Sequence, residues 1–291
     1  MSFAGVYPIL YAFFGADGVL DEAAMRHQVR ACLGTGAQGI AVLGLATEVD
    51  ILTPAEREQM VAWCAAEIAG RVPLAVTIKG GTVAAQIEEA RAARGLGAEI
   101  AILQPSSDAQ DGPGLVAAFG AVADALDYPV GIQNAPQYIG RGLTVADIVA
   151  LHRAHPNIQV LKAEGSAAET VAILEATDGA LALFNGRGGL EFPDVLRAGA
   201  VGLIPAPECC DVHQRIFQAM RAGNAADADA AYREILPLIV FVMQSLESCL
   251  LYGKRVAARR LGLEVFERAD RAPTPFGLER AMAWSAHLRP F

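Results

Sequence analysis

Lysine is the residue type whose placement is most informative in this 291-residue chain. Its 23 basic residues include only three lysines, Lys79, Lys162 and Lys254, because the sequence otherwise uses arginine. A desolvated lysine amine can attack a carbonyl carbon and form an imine, whereas a guanidinium stays protonated and cannot. Lys79 and Lys162 each end a short apolar run, so both are candidates for imine chemistry. The alternative interpretation, which is equally open for both lysines, is an ordinary side chain whose amine extends from a strand end into solvent.

Eight short apolar runs alternate with longer helical patterns over the first three quarters of the chain. Such alternation is typical of βαβ units with a parallel sheet, and eight of them predict a (β/α)8 barrel. In a barrel of this type the catalytic residues lie at the carboxyl ends of the strands. The predicted strands are Val6–Leu10, Gly39–Leu43, Leu74–Ile78, Glu99–Leu103, Val130–Gln133, Gln159–Lys162, Leu181–Phe184 and Val201–Ile204.

Helix start signals separate these strands. Asp21, Thr53, Thr144 and Ser166 each precede a helical pattern, as capping residues do. After about residue 223 the strand signal stops, and helices are predicted over Asp227–Leu250, Arg255–Leu263 and Leu278–His287. The chain is therefore expected to contain an α/β TIM barrel (residues 1–223) and a C-terminal helical extension (residues 224–291).

Composition restricts the partners. A formal net charge of -9 excludes the basic surface that a nucleic-acid binder needs. No apolar run reaches the ~18 residues of a membrane span, and the five cysteines show no metal-binding spacing and are interpreted as reduced thiols. We expect a cytoplasmic protein that acts on small molecules. The five histidines are not spaced like metal ligands, so no metal and no cofactor are predicted.

Several motifs, in order along the chain, resemble the dihydrodipicolinate synthase / N-acetylneuraminate lyase family of class I aldolases. They are Gly5-Val6-Tyr7-Pro8, Gly44-Leu45-Ala46-Thr47-Glu48, Asn134-Ala135-Pro136, Lys162 after the sixth strand, Asn185-Gly186, and Gly202-Leu203-Ile204. The resemblance implies that Lys162 forms the imine and that Lys79 lies near the mouth of the barrel. It also implies a homotetramer or a dimer, and the apolar stretch Ile235–Met243 needs such cover.

Four positions depart from the usual pattern of that family. Leu45 and Ala46 replace two threonines of the loop that receives the substrate carboxylate, although the loop amides remain. Gln133 replaces the tyrosine that serves as proton shuttle, and Tyr138 replaces a carboxylate-binding arginine. Genuine dihydrodipicolinate synthesis relies on these groups.

A narrower resemblance is to the L-2-keto-3-deoxyarabonate dehydratase branch of the same family. Gln133 before Ala135-Pro136, Glu164 two residues after Lys162, and Thr47 before Glu48 carry it. It implies that water is eliminated from a 2-keto-3-deoxy sugar acid after imine formation. Our hypothesis for the mechanism is that Lys162 forms the imine, that Glu164, or a water held by Gln133 and Thr47, moves the protons, and that the substrate carboxylate binds the amides of Ala46 and Thr47. The alternative for Glu164 is an acid that complements the dipole of the next helix.

Two classes of function follow. The first is a Schiff-base lyase that acts on a 2-oxo acid, as a 2-keto-3-deoxy sugar acid dehydratase or aldolase, or alternatively as a 4-hydroxy-tetrahydrodipicolinate synthase-type pyruvate aldolase. The second is a binding protein for sugar acids without turnover. The predicted catalytic residues are Lys162, Gln133 and Glu164, and the predicted substrate-binding residues are Leu45, Ala46, Thr47, Asn134, Tyr138, Gly186 and Ile204.

Overall fold

The computed structural model describes residues 3–291, so the first two residues of the predicted barrel domain lie outside the described part. Eight strands form one parallel sheet, in the order β1-β8-β7-β6-β5-β4-β3-β2. The strands are β1 Gly5–Val6, β2 Ile40–Val42, β3 Leu74–Ile78, β4 Ile100–Leu103, β5 Val130–Asn134, β6 Ile158–Ala163, β7 Ala182–Asn185 and β8 Gly202–Leu203. This is the (β/α)8 barrel that the sequence predicts.

The barrel closes between the first two strands. Val6 pairs with Leu203 of β8, and three residues later Ile9 forms a parallel bridge with Ala41 of β2. Pro8 lies between these contacts and has no N–H to donate, but its carbonyl accepts from the Ala41 N–H at 2.9 Å. The predicted strand Val6–Leu10 is therefore divided between two neighbours, which is why β1 is shorter than expected.

Helices surround the barrel and then extend beyond it. They are α1 Glu22–Gly34, α2 Pro54–Ile68, α3 Val83–Gly95, α4 Gly112–Asp124, α5 Pro136–Ile139, α6 Val145–Ala154, α7 Ala167–Ala176, α8 Phe192–Arg197, α9 Cys210–Arg221, α10 Ala225–Val242, α11 Leu246–Ser248, α12 Lys254–Leu261 and α13 Pro275–Trp284. The four predicted capping residues are confirmed: the side chains of Asp21, Thr53, Thr144 and Ser166 each accept a backbone N–H of the first turn.

The extension differs from the prediction in one respect. A single helix over Asp227–Leu250 was expected, but α10 ends at Val242 and a new segment begins at Ser245, whose hydroxyl accepts the Ser248 N–H at 3.0 Å. Residues Cys249–Gly253 then form a π-helical turn that leads into α12. The prediction was wrong because the apolar pattern continues across the turn. The predicted division at residue 223 stays a prediction.

Within residues 3–291, no single helix is both long and apolar enough to cross a bilayer. α10 and the segment Leu246–Leu261 reach that length and apolar composition only when they are taken together, and a bend of 114° separates them.

Candidate functional site

Lys162 lies next to the carboxyl end of β6 with its amine inside the mouth of the barrel. It is 4% exposed, and its Nζ lies 3.2 Å from Oε1 of the equally buried Glu164. The two side chains point the same way because strand geometry continues through Ala163 and residues two apart share a face. Both line a cavity of about 50 Å³, here called the lysine cavity, with Leu45, Ala46, Tyr138 and Ile204 among its other walls.

Glu164 is held by three hydrogen-bond donors besides Lys162. Its Oε2 accepts the Arg187 N–H at 2.7 Å, its Oε1 accepts Gln133 Nε2 at 3.5 Å, and its backbone carbonyl accepts Gln137 Nε2. The helix that follows is capped instead by Ser166 and Glu169, which form a capping box. Glu164 is therefore directed to the lysine and not to the dipole of α7.

Gly186 makes room for this carboxylate. A Cβ at Gly186 would lie 2.0 Å from Glu164 Oε2, so any side chain there would displace the carboxylate. Gly186 was predicted to bind substrate, but it acts here by leaving space next to Glu164. It is not among the residues that line the lysine cavity.

A chain of side-chain amides leads to Glu164 from the neighbouring strands. Gly80 N–H donates to Gln104 Oε1 at 3.4 Å, Gln104 Nε2 to Gln133 Oε1 at 3.1 Å, and Gln133 Nε2 to Glu164. These bonds fix the direction of the Gln133 amide, so its N–H faces the carboxylate. An amide neither gains nor loses a proton near neutral pH, which leaves Glu164 as the proton acceptor beside Lys162.

The loop after β2 differs from the prediction at Thr47. Its hydroxyl donates to Leu10 O at 2.6 Å, and its N–H donates to Gly44 O at 3.0 Å. Thr47 is buried, and both of its hydrogen-bond donors are used within the fold, so neither is available to a substrate carboxylate. The N–H groups of Leu45 and Ala46 make no hydrogen bond to other described residues, and both residues line the lysine cavity.

Strained backbone recurs in the loops at the carboxyl ends of the strands. Within residues 3–291, five non-glycine residues have positive φ, and three of them, Leu43, Glu48 and Arg187, lie in such loops. Of these three, Arg187 lines the lysine cavity. Such conformations cost about 1–3 kcal/mol each and persist only where surrounding contacts impose them.

Asn134 has a structural contact where substrate binding was predicted. Its side-chain amide donates to Leu143 O at 3.1 Å and accepts the Leu143 N–H at 2.9 Å, so both of its polar atoms are used. It lines a second cavity of about 680 Å³ between α6 and α7, here called the outer cavity, together with Thr144, Ser166 and Thr170. Lys79, the other lysine at a strand end, forms an ion pair with Asp50 at 2.6 Å and stays partly exposed.

Tyr138 lines both cavities, as do Glu164 and Arg187. Burial raises the pKa of the Tyr138 phenol, and the nearby charge of Glu164 raises it further. The phenol therefore stays protonated near neutral pH and can donate a hydrogen bond to a ligand. Its position at the junction of the two cavities fits the substrate-binding prediction.

Sequence reasoning missed the walls that the helical extension supplies. Met243, Leu246 and Cys249 line the lysine cavity from above the barrel. Burial raises the pKa of the Cys249 thiol to about 12, with the charge of Glu208 as the next cause, so the thiol is neutral. Their spacing in the sequence gives no sign of this position, because the turn that brings them there was read as continuous helix.

A buried amine paired with a carboxylate at the carboxyl end of a barrel strand is the arrangement of a (β/α)8 lyase. The model of the dihydrodipicolinate synthetase family matches residues 2–279. The chain belongs to this family and is a lyase.

Sequence similarity to individual relatives extends over most of the chain. It is 38% identical over 240 residues to a 4-hydroxy-tetrahydrodipicolinate synthase of Xanthomonas axonopodis pv. citri, which covers 80% of this chain and 77% of the relative. It is 28% identical over 290 residues to the enzyme of the same name from Exiguobacterium sibiricum, covering 98% and 96%. The solved dihydrodipicolinate synthase of Rhodopseudomonas palustris superposes with a TM-score of 0.91 at 20% identity, covering 99% of both chains.

A buried histidine supports the loop after β7 and predicts a pH effect on stability. His213 Nε2 is 3.1 Å from Gly188 O, and burial lowers the pKa of His213 to about 4. Between the ordinary pKa near 6.5 and pH 4 the unfolded chain binds a proton that the folded chain does not, so acid reduces the free energy of unfolding.

We expect that loss to be about 2 kcal/mol between pH 7 and pH 5. The variant His213→Gln keeps an N–H donor for Gly188 O and has no proton to gain. Denaturant titrations of both proteins at the two pH values measure the difference. An equal pH dependence in the two proteins would contradict the assignment.

Proposed function

We propose that this protein is a Schiff-base lyase in which the Lys162 amine condenses with the C2 carbonyl of a 2-oxo acid. The observation that carries the proposal is the contact between Lys162 Nζ and Glu164 Oε1 beside a cavity at the mouth of the barrel. In the reaction the ammonium passes a proton to the carboxylate and the free amine attacks C2. The carbonyl oxygen then takes one proton from the attacking nitrogen and one from Glu164 and leaves as water. The resulting protonated imine acidifies C3.

The carboxylate of the 2-oxo acid would bind the loop after β2. Leu45 and Ala46 line the lysine cavity, and their N–H groups make no hydrogen bond to other residues in the described part of the chain. Thr47, which was expected to contribute, is replaced by Leu45 in this proposal. Two backbone amides without an arginine are sufficient for a single carboxylate in a site that excludes bulk water.

A pyruvate aldolase is the first form of this proposal. It is supported by the names of the relatives, which are 4-hydroxy-tetrahydrodipicolinate synthases. All chemistry up to the enamine needs only the groups that surround Lys162. The second substrate of those synthases is not carried over, because Gln133 and Tyr138 stand where they have a phenol and an arginine.

A 2-keto-3-deoxy sugar acid dehydratase or aldolase is the second form. It is supported by Glu164, a base placed beside the imine, and by the outer cavity, which adjoins the lysine cavity at Tyr138 and Arg187. The hydroxyl-bearing tail of a sugar acid would extend into that space. In a dehydration Glu164 takes the C3 proton and returns it to the C4 hydroxyl, which leaves as water while the C3–C4 double bond forms.

We also propose that the chain assembles into a dimer or a tetramer. Phe276 and Trp284 of α13 and Val240 of α10 are large apolar side chains that are 68%, 44% and 52% exposed. Apolar surface of this kind is typical of a protein interface. Light scattering of the purified chain should give a mass of two or four chains, and a monomeric mass at micromolar concentration would contradict the proposal.

Borohydride trapping tests the imine directly. Incubation of the protein with pyruvate and borohydride should add one reduced ligand to the wild-type chain, detected by intact-mass spectrometry, and none to Lys162→Ala. The matched control is Lys79→Ala, which removes the other lysine at a strand end and should be labelled like the wild type.

Labelling that survives in Lys162→Ala, or no labelling with pyruvate or any 2-keto-3-deoxy acid, would reject the proposed imine on Lys162, and the second result would favour binding of sugar acids without turnover. If the adduct forms, the product decides between the two forms of the proposal. Released pyruvate indicates an aldolase, whereas a dehydrated semialdehyde acid indicates a dehydratase.

Glu164→Gln separates imine formation from the later proton transfer. Glutamine keeps the size of the side chain but cannot accept a proton, so turnover should fall about 10²- to 10⁴-fold. The imine should still be trapped with borohydride after longer incubation, because the lysine and its cavity remain and water can replace the carboxylate in the slower proton transfers of imine formation. Turnover within a few-fold of wild type would show that another group moves the C3 proton.

A further inference from the structure

Glu48 is held from two sides by cations of the helical extension. Lys254 Nζ lies 2.8 Å from Glu48 Oε2, and Arg271 binds Glu48 Oε1. Lys254 is completely buried and Glu48 is 5% exposed. A buried ion pair of this kind is retained only if its geometry is well satisfied, because both charges have lost their water.

Aromatic rings fix the position of the Lys254 amine. Its Nζ lies 5.8 Å from the ring centroid of Phe13 and 5.2 Å from that of Phe14. The π-helical turn before Lys254 contacts the same segment of the chain after β1, because the Tyr11 hydroxyl donates a hydrogen bond to Cys249 O at 3.4 Å. The amine is therefore held by the segment after β1 while it binds the loop after β2.

Glu48 directly follows the loop of residues 44–47, in which Leu45 and Ala46 line the lysine cavity. It adopts a left-handed conformation with φ of 58°, which glutamate rarely occupies, and its N–H donates to Leu45 O at 3.0 Å. Its side chain and its backbone thus connect Lys254 to Leu45. A rotation at Glu48 would turn the N–H groups of Leu45 and Ala46 away from the cavity.

We propose that Lys254 is a positioning residue for the substrate carboxylate: through Glu48 it orients the Leu45 and Ala46 amides toward the lysine cavity. The inference rests on the proposed function, since it assigns those amides to the carboxylate of the 2-oxo acid. It also explains why a fully buried lysine lies outside the catalytic pair. Lys254 contacts no substrate and acts only through the loop.

The variant Lys254→Met tests the inference with two ketones. Methionine fits the aromatic surroundings, and Glu48 keeps Arg271 as a partner. The probes are pyruvate and methyl pyruvate, which share the ketone but differ in the carboxylate charge. We expect the concentration for half-maximal borohydride trapping to rise at least about tenfold for pyruvate and to change less than about twofold for methyl pyruvate.

Arg260→Met is the matched control. Arg260 is also a buried cation of α12, but it pairs with Asp211 at 2.7 Å, away from the loop after β2. Its loss should lower stability without changing the ratio of the two trapping concentrations. If Lys254→Met does not fold, Arg271→Met removes the other, less buried contact to Glu48 and should shift the same ratio.

Equal changes for both ketones, or none, in the variants of the Glu48 contacts would overturn the positioning inference while leaving the imine proposal intact. A wild-type chain that traps neither ketone would overturn both. A selective loss for pyruvate that Lys254→Arg partly restores would support the inference, because arginine keeps the positive charge next to Glu48.

Discussion

Burial of charge at the mouth of the barrel is the constraint on which the site depends. An ammonium and a carboxylate that leave water lose hydration worth several kcal/mol each, and their attraction compensates only if the remaining hydrogen-bonding capacity is also used. Around Glu164 this requirement is met by the Arg187 N–H, by Gln133 and by the missing side chain of Gly186. The hydrogen bonds from Gly80 to Gln104 and from Gln104 to Gln133 connect this site to residues that follow two more strands, β3 and β4.

The protein meets this constraint twice, with opposite consequences for chemistry. Lys162 pairs with Glu164, and both residues line the lysine cavity. Lys254 pairs with Glu48 in a completely buried position beside the ring of Phe14. An amine that is to react needs space for an incoming carbonyl, whereas an amine that is to hold a loop needs none. The same kind of ion pair would therefore serve the proposed chemistry in one place and the positioning of a loop in the other.

Local signals made most of the fold predictable. The eight strands and the capping residues Asp21, Thr53, Thr144 and Ser166 depend on a few neighbouring residues, and the proximity of Lys162 and Glu164 follows from strand alternation. The uses of Thr47 and Asn134 did not follow, because a hydroxyl or an amide beside a motif can bind either substrate or backbone, and sequence does not show which backbone atoms approach.

Long-range contacts were the least predictable part. Glu48 and Lys254 are separated by 206 positions, and Lys254 follows a turn hidden in a continuous apolar pattern. Lysine is rarely buried, so its type alone predicts a surface position. The scarcity of lysine indicates that each lysine has a specific role, but Lys254 does not end a predicted strand, so its sequence position gives no sign of what that role is.

The replacement of a phenol by Gln133 has a consequence for the proposed chemistry. An amide fixes direction but transfers no proton, so Glu164 would have to accept a proton at one step and return it at another. Dehydration and aldol cleavage both move protons between adjacent atoms at C3 and C4, so one carboxylate beside the imine would serve either reaction. The catalytic group therefore does not select between them. The choice between dehydration and aldol cleavage would depend on the groups that hold the rest of the substrate. These groups lie where the two cavities meet, at Tyr138 and Arg187.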